Sequence, residues 1–477
     1  MTAVLGIDLG TTYFKAGLFS DGGALLGLGR VAVDAETGAA GRFELSASRF
    51  QDLLRAVIRQ ALDAAGLPAA GIRAVSYSSQ ANSFLLLDGG SRPLSPVILW
   101  QDRRVGEVPA ELARLRTRAD FLAVTGLDLV GPLGCAAKLL WLRDREPEAW
   151  RQTRMIMTVS DYLTYLMTGD RAGDSGTASL LGAWDLPAGR WWPDALEELH
   201  VEESFLSRLS PPGTVIGQTS RGATDLFGLP QGIPFAVGSL DHHMAAVGSG
   251  VGPLASVVES TGTVLACFAE SARFSPRPLC AMGPGVAGAA PFYSLAFHDS
   301  GAVVLEWYRK RYAEDLSFDE LAARAGAVPI GSGGLTCLPL ADTYPGKDGF
   351  ISVRPEHGHG HFARAIMESI AAELSLLLGR LCDGSLPGRL LSSGGGSRSD
   401  LWLQIKADVT GCTLLTTGFP EAACAGAAML AACAAGWFSS PIEASSAWVR
   451  VEKTIAPDPG NRARYQDWLT SSLRLRP

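Results

Sequence analysis

Charge is scarce in this chain: 19% of its residues are Asp, Glu, Lys or Arg, and the formal net charge is −7. So little charge, slightly acidic in balance, leaves no broad basic surface, and general nucleic-acid binding is not expected. Cysteines are few and scattered. The eight of them form no CxxC pair and no dense framework, which argues for reduced core thiols over a disulfide scaffold. Long apolar runs are missing too. The best candidate, Ala422 to Phe438, is mostly alanine and short for a membrane span, so it reads as a buried helix with small side chains. Asp8 interrupts the apolar start Ala3-Val4-Leu5 and no basic leader precedes it. No signal peptide is read there, and a soluble cytoplasmic protein without membrane contact is the expectation. The first strand leads into neither GxGxxG nor GxxxxGK[ST], and no GxSxG elbow occurs.

What is present is length, apolar material and glycine. A chain of 477 residues exceeds what one core usually holds, so two or more domains are expected. A 47% hydrophobic content offsets the entropy of ordering and excludes wholesale disorder. Fifty-five glycines without a collagen period indicate tight turns and close backbone approaches.

Val4–Asp8 and Tyr13–Phe19 read as strands around the turn Leu9-Gly10-Thr11-Thr12, and Asp21-Gly22-Gly23 turns the chain again. Helical spacing over 50–65 precedes the strand candidate Ile72–Tyr77, an α/β order that recurs later. Residues 105–205 are more helical and rich in tryptophan. Pro234–Gly238 is a strand leading to Ser239-Leu240-Asp241-His242-His243 and a small-residue helix, and Gly250-Val251-Gly252-Pro253 reads as a domain joint. Beyond it a second hairpin surrounds Ser260-Thr261-Gly262-Thr263, a faint echo of the first. A long helix over 361–381, the strand Leu390–Ser393 and the turn Gly394-Gly395-Gly396-Ser397 follow.

Several of these turns suit chemistry. Asp8 at a strand end can orient water around Mg²⁺, and the Gly10-Thr11-Thr12 turn can offer N–H and hydroxyl groups to phosphate, with Lys15 in reach. An ordinary polar hairpin reads equally well. Gly262-Thr263 and the Gly394–Gly396 run permit close approach by a base or phosphate; singly, each is also consistent with a flexible connection. Asp241 can take a proton from a hydroxyl nucleophile, or can cap its helix. His242 and His243 could bind polar substrate atoms. Trp100-Gln101-Asp102-Arg103-Arg104 and Ser78-Ser79-Gln80-Ala81-Asn82 mix groups that polyhydroxyl ligands need, or are polar strand ends. His357-Gly358-His359-Gly360-His361 invites a metal, yet its glycines favour a loose lead-in to the helix.

Taken in order, Ile7-Asp8-Leu9-Gly10-Thr11-Thr12, Trp100-Gln101-Asp102-Arg103, Gly238-Ser239-Leu240-Asp241, Thr261-Gly262-Thr263, Gly394–Ser397 with Trp402…Gln404…Asp408…Gly411, and Glu421…Gly426-Ala427-Ala428 resemble the FGGY carbohydrate kinases. The resemblance implies an α/β chain of two actin-like (ribonuclease H-like) domains, each a mixed sheet flanked by helices, with a catalytic cleft between them. Residues 1–249 would mainly bind sugar and supply the base, and 250–477 would mainly bind nucleotide. It implies ATP and Mg²⁺ as cofactors, with Asp8 organising the metal and Asp241 as general base. Thr11, Thr12, Lys15, Gly262, Thr263, Gly301, Gly395, Gly396 and Ser397 would attend the nucleotide. Gln80, Asn82, Trp100, Asp102 and His242 would line the sugar side. A homodimer is a family-level expectation.

Ala81-Asn82 replaces the Arg-Glu of the family's glycerol kinases, which argues against glycerol. The Met-His of its xylulokinases is absent as well, His242 stands where they carry asparagine, and Leu338–Pro345 replaces a common Gly-Glu-Arg segment. A ketopentose such as D-xylulose remains the expected acceptor, with another ketose or a polyol as alternative. An actin-like nucleotide-binding module without kinase activity is the alternative from another class.

Overall fold

A computed structural model of the chain describes residues 2–128, 130–286, 288–338, 349–382, 384–419 and 421–472. Residues 339–345 of the Gly-Glu-Arg replacement therefore lie outside the described residues. Two compact units result. One comprises residues 1–250, 270–294 and 419–449; the other comprises 251–269, 295–418 and 450–477.

The first unit is built on a mixed sheet. Strands β1 (Ala3–Leu9), β2 (Tyr13–Phe19) and β3 (Leu25–Ala32) form an antiparallel meander, and β4 (Ile72–Ser79) runs parallel to β1. The sheet continues beyond β4 through β5 (Pro234–Ala236) to Val215–Gln218, while β6 (Ser239–Leu240) pairs with the far end of β4. All seven residues of β1 are buried, as a strand covered on both faces must be. Helix α1 (Ala47–Ala65) lays Phe50, Leu53, Leu54, Val57 and Ile58 on the meander. It begins three residues before its periodic apolar pattern because Ser46 caps it, its side chain accepting the Arg49 N–H.

The other face carries two short-residue helices, α2 (Asp241–Gly248) and the alanine-rich helix Ala422–Ala434. They cross at Gly248 and Gly426, where a Cβ on either would overlap the partner helix's backbone carbonyl. Small side chains thus bring a C-terminal segment back into the first unit. Residues 84–201 add a second apolar core, with Trp184, Trp191 and Trp192 buried among leucines.

In the second unit, β7 (Val257–Thr261) pairs antiparallel with β8 (Leu265–Ser271) and parallel with β9 (Arg389–Ser393). Strand β9 pairs parallel with β10 (Thr413–Thr417), which pairs antiparallel with β11 (Val451–Ile455). Helices α3 (His359–Leu381) and α4 (Asp400–Thr410) pack against each other beside this sheet. Among the described residues, no helix is long and apolar enough to cross a membrane.

Candidate active site

Parallel register sets the first unit's site. Asp8 lies opposite Ser78, and Ser239 and Leu240 lie opposite Ser78 and Ser79, so β1, β4 and β6 end nearly level. Asp8, Gln80 and Asp241 therefore stand together at the carboxyl ends of parallel strands, where α/β sheets bind ligands. Strand β2 starts at the same edge and presents Lys15 opposite Asp8.

Asp8 is 5% exposed, and its Oδ1 accepts the Ser78 hydroxyl at 2.8 Å. Lys15 Nζ sits 3.6 Å from Asp8 Oδ2 and 2.8 Å from Glu421 Oε2. Burial pushes the Asp8 carboxyl up to about 6, against the pull of the Lys15 ammonium and the Ser78 bond. Like charge on Asp241 and Glu421 pushes the same way. Asp241 opens α2 as its first residue, with Leu240 in the cap position, so its carboxylate is not the helix cap. Its Oδ1 accepts the His242 N–H at 2.7 Å. His242 is half-buried beside it. His243 points inward: its Nδ1 lies 3.0 Å from Ser239 Oγ and its ring 4.7 Å from that of Tyr293. Burial holds that imidazole down to about 3, hence neutral.

The remaining first-unit candidates divide. Trp100 is 37% exposed and donates its indole N–H to Thr11 Oγ1 at 2.8 Å, so an aromatic wall stands against the Gly10-Thr11-Thr12 turn. Thr12 is exposed beside it. Gln80 is buried, taking the Ser83 hydroxyl on its Oε1 and reaching Gly10 O at 3.4 Å. Asn82 adopts a left-handed φ of 61°, and its Oδ1 accepts the Cys135 N–H at the start of helix Cys135–Arg145. Asp102 is not brought to the open edge. It is fully buried, its oxygens taken by the Arg104 guanidinium and the N–H groups of Phe43 and Arg104. Burial alone would raise its carboxyl, but those donors hold it below the usual carboxylate range.

The second unit repeats the design with backbone in place of side chains. Gly262 and Thr263 link β7 to β8, and Gly301 packs onto that turn, donating its N–H to Thr263 O at 3.1 Å. Gly394 follows β9 at a left-handed φ of 80°, a conformation that favours glycine, and a Cβ there would meet Thr261 O at 2.7 Å. Ser397 Oγ closes the turn onto Gly394 O at 2.8 Å. Because β7 and β9 are parallel, with Ser260 opposite Ser393, both glycine turns leave the same sheet edge. Gly395 is exposed there and Gly396 is buried beneath it.

Sequence reasoning missed what supports these turns. Glu421 anchors Lys15, and beneath the glycines Glu259 and Lys406 form a fully buried pair at 2.7 Å. A glutamate inside the apolar Val257-Val258-Glu259 and a lysine on the buried face of α4 were the available signals. The His-rich motif caps α3: His357 Nδ1 accepts the Arg354 N–H and His361 Nδ1 that of Gly358. Among the described residues, no three His, Cys, Asp or Glu side chains cluster as a ready metal site.

A level pair of carboxylates beside a lysine in one unit and open glycine turns in the other are parts that phosphoryl transfer to an alcohol requires. Two family models match the sequence: the N-terminal domain of the FGGY family of carbohydrate kinases over residues 3–248 and its C-terminal domain over 300–435. The chain belongs to the FGGY family of carbohydrate kinases, and is an ATP-dependent sugar or polyol kinase. It is 27% identical to the xylulose kinase of Lactococcus lactis over 98% of this chain and 95% of that one. Identity to the autoinducer-2 kinase of Escherichia coli K12 is 29%, covering 97% and 92%. The solved xylulose kinase of Rhodospirillum rubrum superposes with a TM-score of 0.89 at 27% identity, over 99% and 98% of the two chains.

Proposed function

We propose that this kinase transfers the γ-phosphoryl group of ATP to a hydroxyl of a small ketose, first among them a ketopentose such as D-xylulose. The position of Asp241 carries the reading: level with Asp8 at the strand edge, half-buried, with one carboxylate oxygen engaged by His242 N–H. Asp241 would orient the acceptor hydroxyl and take its proton as the oxygen attacks phosphorus. His242 and Trp100 would border the acceptor. Gln80, Asn82 and Asp102 would act from behind, by holding the Gly10 turn, helix Cys135–Arg145 and the Arg104 loop.

The donors fit a nucleotide-borne divalent cation. Asp8 is a buried carboxylate whose Oδ2 lies 3.6 Å from Lys15 Nζ, and among the described residues no three His, Cys, Asp or Glu side chains cluster as a ready metal site. Mg²⁺ arriving with ATP would neutralise phosphate charge, with Asp8 as the residue placed to hold it. Lys15, Thr11 and Thr12 would contact phosphates. Gly262, Thr263, Gly301, Gly395, Gly396 and Ser397 would admit the rest of the nucleotide along exposed backbone.

The xylulose kinases among the relatives support the ketopentose, and the autoinducer-2 kinases make autoinducer-2 a second acceptor. An ADP-release screen over ketopentoses, ketohexoses, pentitols, glycerol, sugar acids and autoinducer-2 decides between them. Ketopentose-stimulated turnover is expected. Stimulation by autoinducer-2 alone would select the second acceptor, and ATP binding unstimulated by any compound would leave only a nucleotide-binding module.

A further inference from the structure

The second unit holds two opposite charges where no solvent reaches them. Glu259 and Lys406 are both fully buried, with Lys406 Nζ 2.7 Å from Glu259 Oε1 and 2.8 Å from Thr261 Oγ1. Thr261 in turn donates to Glu259 Oε2 at 2.7 Å, and the Ser392 hydroxyl donates to Oε1. A buried ion pair is weak support for stability, since well-packed apolar side chains often serve as well. Its placement suggests another use. Glu259 and Thr261 belong to β7, Ser392 to β9 and Lys406 to α4, so the four groups tie the two strand ends that precede Gly262-Thr263 and Gly394–Ser397. A Cβ on Gly396 would lie 2.8 Å from Thr261 Cβ and 3.3 Å from Lys406 Nζ, so the glycine turn rests directly on this cluster.

We infer that Lys406 and Glu259 are positioning residues for the nucleotide: through Thr261 and Ser392 they fix the spacing of the two glycine turns. This rests on assigning those turns to ATP. Lys406→Met alone would strand a buried carboxylate, so the double variant Glu259→Gln/Lys406→Met, which buries no unpaired charge, carries the test. Thr261→Val, which keeps the ion pair and removes only its hydroxyl link, is the milder companion. Kd for a non-hydrolysable ATP analogue, acceptor KM and Tm are measured together. The double variant is expected to weaken analogue binding about tenfold, and Thr261→Val by a few-fold, with acceptor KM unchanged. Wild-type analogue affinity in both variants would overturn the inference, because a merely structural pair would move Tm alone. Failure of the unmutated protein to bind the analogue would overturn the nucleotide assignment itself.

Discussion

The two sheet edges solve one problem with different materials. In the first unit the edge is made of ionisable side chains, Asp8, Lys15, Asp241 and Glu421, with Lys15 3.6 Å from Asp8 and 2.8 Å from Glu421 and with Asp241 adding like charge to Asp8. In the second it is made of glycine backbone, and its charges, Glu259 and Lys406, are sealed beneath the surface. The first edge is suited to moving a proton and balancing charge; the second is suited to admitting a bulky ligand by shape. Substitutions that alter charge without volume should therefore damage the first edge, and those that add volume without charge the second.

The largest effect is expected where charge does chemistry. Asp241→Asn keeps shape and removes the proposed base, so kcat should fall by about 10²–10⁴ while calorimetric ATP-analogue affinity stays within twofold. Near-normal turnover would break the assignment. At the other edge, Gly396→Val adds only volume, against Thr261 Cβ and Lys406 Nζ. The added side chain must displace the glycine turn from Thr261, so KM for ATP should rise about tenfold or more, with acceptor KM little changed. An equal rise in both constants would erase the contrast between the edges.

Much of this arrangement was legible as pattern. Tyr13–Phe19 is a strand over the expected residues, α1 shows its apolar stripe, and the alanine-rich run is a buried helix. Patterns report neighbours along the chain, and the hidden parts are neighbours only in space. Nothing near Glu421 in sequence points to Lys15, because their contact depends on the Gly248–Gly426 helix crossing. Asp102 is the opposite case. Within Trp-Gln-Asp-Arg-Arg its carboxylate reads as a ligand for hydroxyl groups, yet Arg104 two residues on claims both oxygens. A local ion pair and a ligand set look alike when only residue types are known.

The smallest effect tests how the first edge carries its charge before any ligand binds. Asp8 takes a proton near pH 6 in the fold, against the ordinary 3.8, because burial disfavours its carboxylate more than Lys15 favours it. A raised folded pKa means that the folded state binds this proton more tightly than the unfolded chain does. Its stabilising contribution is complete below about pH 4 and is lost as pH rises through about 6. Asp8→Asn cannot lose a proton, so it should flatten this part of the profile. In metal-free and nucleotide-free protein, the drop in Tm between pH 5 and pH 8 should shrink by roughly 1–2 °C relative to the unmutated chain. A larger drop in the variant would show that Lys15 and Ser78 outweigh burial, making this edge a net attractor of negative charge even when empty.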